Sequence, residues 1–312
     1  MPPRSPLPPR HGLSAAWLRT PDRGRPRPDP WPTMGAWLGE RVGAHVDVGA
    51  MLDAQRFVYD DLRPVRADDP YLPHTFVWFH RDLREEVEVP GELSIVHRDE
   101  RIVVVDKPAF LSTIPRGRHV QQSVVVRLRD ELGLPELSPL HRLDRVTSGL
   151  LLMATEKRWR GRYQVMFEHG TVRKTYRALA PWREDLELPL TVRNHLRKER
   201  GVLRAEVVPG APVNAETLVE VESRGPGDLA VYRLTPRTGR THQLRVHLHG
   251  LGIAIVDDPL YPQVRETSID DFSRPLQLLA SELAFVDPVD GCERSFASAR
   301  SLPLLAEPGS EA

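Results

Sequence analysis

The sequence predicts an α+β fold, with a largely antiparallel or mixed sheet flanked by helices. Two observations lead there. Most strand-like stretches follow one another directly, as at Ser94–Val105 and Glu216–Thr235, whereas parallel strands need a crossover that is usually a helix. One of the connections, Gly225-Pro226-Gly227-Asp228, also has the composition of a tight reversal.

Taken in order, residues 1–33 are rich in Pro and Arg and poor in apolar periodicity, so a basic, disordered tail is expected. Residues 34–90 are denser in Val, Phe, Tyr and Trp and are expected to form a small N-terminal subdomain, with Phe76–Phe79 as a strand. Residues 91–300 carry the main domain, and 301–312 a C-terminal tail. In the main domain Ser94–His97 and Arg101–Val105 read as two strands around a turn. Ser123 is expected to cap a helix that runs to Leu132 and stops at Gly133. Leu150–Ala154 reads as a buried strand. Thr155 is expected to cap a helix with Tyr163, Met166 and Phe167 on its apolar face. Val172–Ala180, Glu216–Glu222, Leu229–Thr235 and Thr241–His249 read as strands.

Composition narrows the function classes. The 43 Lys and Arg balance 43 Asp and Glu, so net charge announces no polyanion partner and the distribution must be read instead. A single cysteine, Cys292, excludes an intramolecular disulfide framework and a Cys-rich zinc site. No apolar run approaches the roughly 18–20 residues that span a membrane, and a soluble, cytoplasmic protein, monomeric by default, is expected. Charge is uneven: nine Lys and Arg against three acids lie between 141 and 177, and five against one between 191 and 204. That is the footprint expected of a nucleic-acid-binding face.

Three constellations carry chemistry. His141-Arg142-Leu143-Asp144-Arg145 runs through Thr147-Ser148-Gly149 into the buried strand. It sets one acid between arginines in a loop against a rigid element, where reactive groups tend to sit; a salt-bridged surface turn is the plain alternative. Arg237-Thr238-Gly239-Arg240-Thr241-His242-Gln243-Leu244-Arg245-Val246-His247-Leu248-His249 alternates. Read as a strand, it turns Leu244, Val246 and Leu248 inward and aligns Gln243, Arg245, His247 and His249 across a cleft. A metal held by His242, His247 and His249 is not expected, because no Asp, Glu or Cys nearby completes the set. The third constellation, Lys174-Thr175-Tyr176, places Lys174 and Tyr176 on one side of a strand, with Tyr176 a candidate base or stacking platform.

In this order these motifs, with Asp106-Lys107-Pro108 ahead of them, resemble the RluA-type family of RNA pseudouridine synthases over roughly residues 91–300. The resemblance implies the pseudouridine synthase fold with a central RNA-binding cleft. It implies isomerisation of specific uridines in ribosomal or transfer RNA: the N1–C1′ bond breaks, the uracil rotates, and C5 joins C1′. No cofactor and no metal are implied. Asp144 is the implied carboxylate, attacking C1′ or removing the C2′ proton. Arg245 pairs with it, Tyr176 stacks on the base and is a candidate to take the C5 proton, and Leu279 packs under the uracil. Arg142 occupies the gap left by the extruded nucleotide. Lys107, Lys174, Arg237, Arg240 and Gln243 are expected to hold the RNA. Two departures stand out. Where the family has Gly-Asp-x-x-Tyr-Gly this chain has Asp257-Asp258-Pro259-Leu260-Tyr261-Pro262, and where it has Leu-His-Ala this chain has Leu278-Leu279-Ala280. The N-terminal region has no clear match to the S4-like domain of many relatives. Two other classes compete: a non-catalytic RNA-binding protein, which needs the basic face but not Asp144, and a nucleoside or sugar hydrolase, which needs a second carboxylate beside Asp144. Asp258 is the candidate for that second carboxylate.

Overall fold

Ile102–Lys107 and Ser148–Ala154 are apolar almost without alternation, the pattern of strands covered on both faces. The computed structural model describes residues 3–21, 31–42, 46–115, 117 and 119–305, and these two strands lie side by side within its main sheet. The chain divides into two units, Met1–Glu85 and Glu86–Ala312.

The first unit contains β1 (Ala16–Arg19), α1 (Met34–Val42), α2 (Val48–Asp53) and β2 (Phe76–Phe79) around a cluster that includes Met34, Trp37, Phe57 and Val77. β1 pairs antiparallel with β2, and Ala16 and Leu18 turn onto the cluster. This corrects the expectation that 1–33 lacks structure throughout. A four-residue strand has no signal of its own among prolines and arginines and is held by its partner. Residues 22–30 of that tail and 306–312 of the expected C-terminal tail lie outside the described residues.

In the second unit the strands are β3 (Ser94–Arg98), β4 (Ile102–Lys107), β5 (Ser138–Pro139), β6 (Ser148–Ala154), β7 (Arg173–Pro181), β8 (Leu190–Asn194), β9 (Leu196–Arg197), β10 (Glu206–Val207), β11 (Ala215–Arg224), β12 (Leu229–Pro236), β13 (Leu278–Val286) and β14 (Glu293–Ala297). The helices are α3 (Val124–Glu131), α4 (Lys157–Glu168) and α5 (Gln243–Gly250). The main sheet has ten strands along β3-β4-β6-β13-β7-β12-β11-β8, with β14 on β13 and β5 on β6. Every pair is antiparallel except β6 with β13. The fold is therefore the mixed, largely antiparallel α+β architecture expected. Alternation along β4 and β6 sends Val103, Val105, Leu151 and Met153 to α3. Ile102, Val104, Leu150 and Leu152 go to Tyr163 and Met166 of α4 on the other side. Among the described residues no helix is long and apolar enough to cross a membrane.

Three local expectations change. Thr241–His249 is not a strand: Gln243–Gly250 is helix α5. The alternation misleads because six successive residues of this helix, Gln243 to Leu248, are buried. Leu244 and Leu248 pack four apart on the sheet, whereas Val246 joins a different cluster with Tyr261 and Ala215. Two apolar faces on one buried helix imitate period two. Ser123 sits at the start of α3, but its hydroxyl donates to the Val120 carbonyl rather than capping the helix. Thr155 lies before the first residue of α4 and donates to the Glu100 and Arg101 carbonyls.

Candidate active site

The turn from His141 to Thr147 leads into β6, and side chains from earlier in the unit hold its backbone on both sides of Asp144. The buried Thr113 hydroxyl donates to the Leu143 carbonyl at 2.8 Å and accepts the Leu143 N–H at 3.2 Å. The Lys107 ammonium donates to the carbonyls of Pro108, Leu111 and Arg145 at 3.0, 2.8 and 3.3 Å. Thr147 N–H donates to the Asp144 carbonyl, closing the turn. Upstream, His141 accepts the Leu152 N–H on Nε2 and stacks on Phe167. Burial, with Lys174 adding to it, pushes His141 down to about 3, so it anchors the turn as a neutral ring.

Helix α5 then delivers Arg245, which holds two carboxylates at once. Its Nε and Nη2 donate to Asp258 at 2.7 Å each, and its Nη1 donates to Asp144 Oδ2 at 3.1 Å. Burial opposes the guanidinium charge, but the two carboxylates outweigh it and raise its pKa. Asp258 is fully enclosed and also takes the N–H groups of Leu260 and Tyr261 on Oδ1. Asp144 is different: its side chain is 32% exposed, and Oδ1 has no partner among the described residues. One carboxylate is structure, and the other is presented. His242 stands beside them in a left-handed conformation (φ 60°), with Nε2 3.7 Å from Asp144 Oδ2 and Nδ1 3.1 Å from the Tyr261 hydroxyl. Desolvation pushes His242 down to about 4, the Asp144 charge opposing and Arg245 reinforcing.

The floor is apolar. Tyr176 of β7 is opposite Ala280 of β13, and the same face carries Ala178, Leu278 and Leu244. Burial first, and the Asp144 charge second, raise the Tyr176 phenol above its ordinary value, which keeps it protonated and ill-suited to act as a base. Leu279 does not join this floor. It packs with Leu179, Val231 and Leu302 on the opposite side of the sheet. Adjacent strand residues face opposite ways, so the site-facing neighbours are Leu278 and Ala280.

The residues expected to hold RNA fall into two groups. Arg142 is exposed and has no ion-pair or hydrogen-bond partner among the described residues. Arg237 is 77% exposed beside Glu216, and Arg240 is exposed with Nε on the Asn214 carbonyl. Lys174 is half-buried, its ammonium 3.4 Å from the Thr238 carbonyl, and burial lowers its pKa. Lys107 and Gln243 are corrected. Lys107 is fully enclosed with its donors spent on carbonyls. The buried Gln243 amide ties Thr238, the Arg240 N–H, the Glu216 carbonyl and Thr217 together. Both hold the scaffold and neither faces solvent. Of the three histidines weighed as ligands, His247 is buried and engaged with Asn194, and no group of three or more His, Cys, Asp or Glu is placed for a metal among the described residues.

Thr113 has no local sequence signal. His242 stands out in the sequence only among the histidines of a possible metal site, and Asp258 only as a possible second acid, although Asp258 and Tyr261 fill the Asp and Tyr places of the Gly-Asp-x-x-Tyr-Gly stretch.

Residues 101–250 match the family described as RNA pseudouridylate synthase. A protein of Pasteurella multocida named dual-specificity RNA pseudouridine synthase RluA is 34% identical over 63% of this chain and 88% of its own length. A tRNA pseudouridine synthase C of Vibrio parahaemolyticus is 34% identical over 64% of this chain and 87% of its own. Among solved structures, human RNA pseudouridylate synthase domain containing 1 superposes with a TM-score of 0.53 at 26% identity, covering 68% of this chain and 86% of that one.

Proposed function

This chain belongs to the RluA-type family of RNA pseudouridine synthases, and on that premise we propose how its residues divide the conversion of uridine to pseudouridine in RNA. Asp144 is the reacting carboxylate. It meets C1′ or C2′ of a uridine drawn out of its stack, at a cost of a few kcal/mol in unstacking. The N1–C1′ bond breaks, C5 bonds to C1′, the C5 proton leaves, and N1 gains a proton, so the product is an isomer of the substrate. No electron or group leaves the molecule, and the reaction requires neither cofactor nor metal. Arg245 holds Asp144 ionised and oriented, Asp258 holds Arg245, and Tyr176 with Leu278 and Ala280 forms the surface against which the uracil turns. Arg142, Arg237, Arg240 and Lys174 meet the RNA backbone. Structured ribosomal or transfer RNA is the target class, and the enzyme works as a cytoplasmic monomer.

One observation supports this reading above the others: a single partly exposed carboxylate, Asp144, is presented by an arginine that is fixed by two bonds to a buried acid. The same observation weakens the hydrolase alternative. Asp258 is fully enclosed, with both oxygens bonded to Arg245 and Oδ1 also held by two backbone N–H groups, so it is not presented to water.

The test incubates wild type and Asp144→Asn with total bacterial RNA lacking pseudouridine and maps the product by carbodiimide primer extension. New stops with the wild type alone are expected. RNA binding with no stop on any ribosomal or transfer RNA would replace this reading with a non-catalytic one.

A further inference from the structure

The Tyr261 hydroxyl is the key to what His242 presents to the substrate. That hydroxyl is buried and has three neighbours: the Ala205 N–H at 2.7 Å, the Ala205 carbonyl at 2.9 Å, and His242 Nδ1 at 3.1 Å. A phenol donates one hydrogen bond and accepts others. The amide must donate into the oxygen. The buried Ala205 carbonyl has no other hydrogen-bond donor among the described residues, so the phenolic proton goes to it. His242 Nδ1 is then left to donate, and a neutral ring that carries its proton on Nδ1 has a bare lone pair on Nε2. The low His242 pKa agrees with a neutral ring.

Nε2 points at Asp144 Oδ2, 3.7 Å away. Two acceptors lie there, Asp144 Oδ2 also accepting from Arg245 Nη1, at a separation that the one proton of a hydroxyl can bridge in a three-centre hydrogen bond. Building on the pseudouridine synthase reading, we infer that His242 Nε2 and Asp144 Oδ2 together accept the 2′-hydroxyl of the target uridine, which makes His242 a residue that selects ribose over deoxyribose. The choice of donor follows from the reaction. Asp144 must approach C1′ or C2′, and the 2′-hydroxyl is carried on C2′ itself, whereas the uracil N3–H lies across the ring from the glycosidic bond. The 2′-hydroxyl is also the group by which a protein tells RNA from DNA at a given nucleotide.

The left-handed backbone at His242 suits the test. Asparagine tolerates that conformation better than other non-glycine residues, and its amide can keep the donor to Tyr261 while removing the acceptor at Nε2. The probes are two copies of the RNA identified by primer extension, both carrying pseudouridine at the target and differing only in ribose or 2′-deoxyribose there. Neither reacts, so each reports binding as a product inhibitor. The wild type is expected to bind the ribose RNA about tenfold more tightly, the scale of one hydrogen bond to a charged acceptor, and His242→Asn and His242→Phe to reduce that ratio to about twofold or less. Nitrogen-15 NMR of the free wild type is expected to show an unprotonated Nε2 on His242. An unchanged ratio in both variants, or a proton on Nε2, overturns the inference. A protein that makes pseudouridine but shows no such ratio fails this inference alone; one that modifies no RNA fails the reading beneath it, and the inference with it.

Discussion

Replacing each of the two carboxylates on Arg245 in turn should separate stability from chemistry. Asp258→Asn removes the charge from a pair in which both side chains are enclosed, at 0% and 3% exposure, with two bonds of 2.7 Å. Breaking such a pair from one side costs about 3–5 kcal/mol. At roughly 2–4 °C per kcal/mol for a unit of about this size, the melting temperature should fall by about 6–20 °C. Asp144→Asn removes one bond of 3.1 Å to a carboxylate that is one-third exposed and leaves Arg245 held by Asp258. Solvent screening limits that loss to about 1 kcal/mol or less, a shift within about 4 °C. Activity should invert the order. Asp144→Asn should make no pseudouridine, whereas Asp258→Asn, assayed well below its midpoint, should keep a residual rate reduced about 10- to 100-fold because Arg245 no longer has a fixed bearing. Calorimetry and pseudouridine formation at 20 °C supply both readouts. An Asp258→Asn protein that melts within 2 °C of wild type, or that is less damaged than Asp144→Asn in neither measure, would refute the division between a structural and a presented acid.

Three further outcomes follow from the same geometry. Burial pushes Lys107 down to about 7, against the Asp144 charge, which opposes the shift. Above that pH the unfolded chain binds more protons than the native one, so stability relative to Lys107→Met should rise between about pH 7 and the ordinary lysine range and stay level below it. The slope is at most about 1.4 kcal/mol per unit, read from urea midpoints of the two proteins. Thr113→Val should lose about 1–3 kcal/mol and lower kcat without weakening RNA binding, and Thr113→Ser should restore both, because the hydroxyl acts only through Leu143. Leu279→Ala should cost about 2–5 kcal/mol while leaving kcat of the folded protein near wild type, whereas Leu278→Ala should lower kcat, since only Leu278 shares the Tyr176 face; denaturation and single-turnover rates check the pair.

β4 and β6 were legible because burial on both faces writes itself as nearly unbroken Val, Ile and Leu, whereas β8, β14 and the central β13 were not read from the sequence. The turn that carries Asp144 into β6 was legible because its motif is contiguous. Helix α5 was not, because its apolar residues serve two clusters and so mimic a strand. Yet Arg245 was correctly paired with Asp144, since that pairing came from resemblance and did not depend on the element carrying it. Lys107 and Gln243 were misplaced for a common reason: a charged or amide side chain in a motif suggests a ligand, and only three dimensions reveal the protein acceptors already occupying its donors. Thr113, distant from Asp144 in sequence, acts through backbone atoms, to which residue patterns are blind.

Topology explains why the site lies where it does, and Gly149 is where that explanation can be broken. β6 and β13 are the one parallel pair of the main sheet, with Ser148 beside Leu279 and Gly149 beside Ala280. Parallel strands start at the same end, so the turn that enters β6 with Asp144 and the segment that enters β13 after Asp258 are brought to one edge, where α5 can set Arg245 between them. Close passage of the two backbones is the condition. Gly149 has φ 108°, and a methyl group there would lie 2.6 and 2.8 Å from the Ala280 N and C atoms and nearer still to its oxygen. Those atoms belong to a central strand and cannot move aside as a flexible side chain would. Gly149→Ala therefore combines backbone strain of about 1–3 kcal/mol with overpacking of about 1–3 kcal/mol. The protein should lose about 2–6 kcal/mol in urea unfolding. Because the displaced strand begins four residues after Asp144, the folded fraction should also lose activity by more than 100-fold. Gly133→Ala supplies the control: it too has positive φ, but open space where the methyl would go, so it should show the strain without the loss of rate. If Gly149→Ala kept its rate at the stability of the Gly133→Ala control, the close approach of β6 and β13 would not be what aligns Asp144 with Arg245.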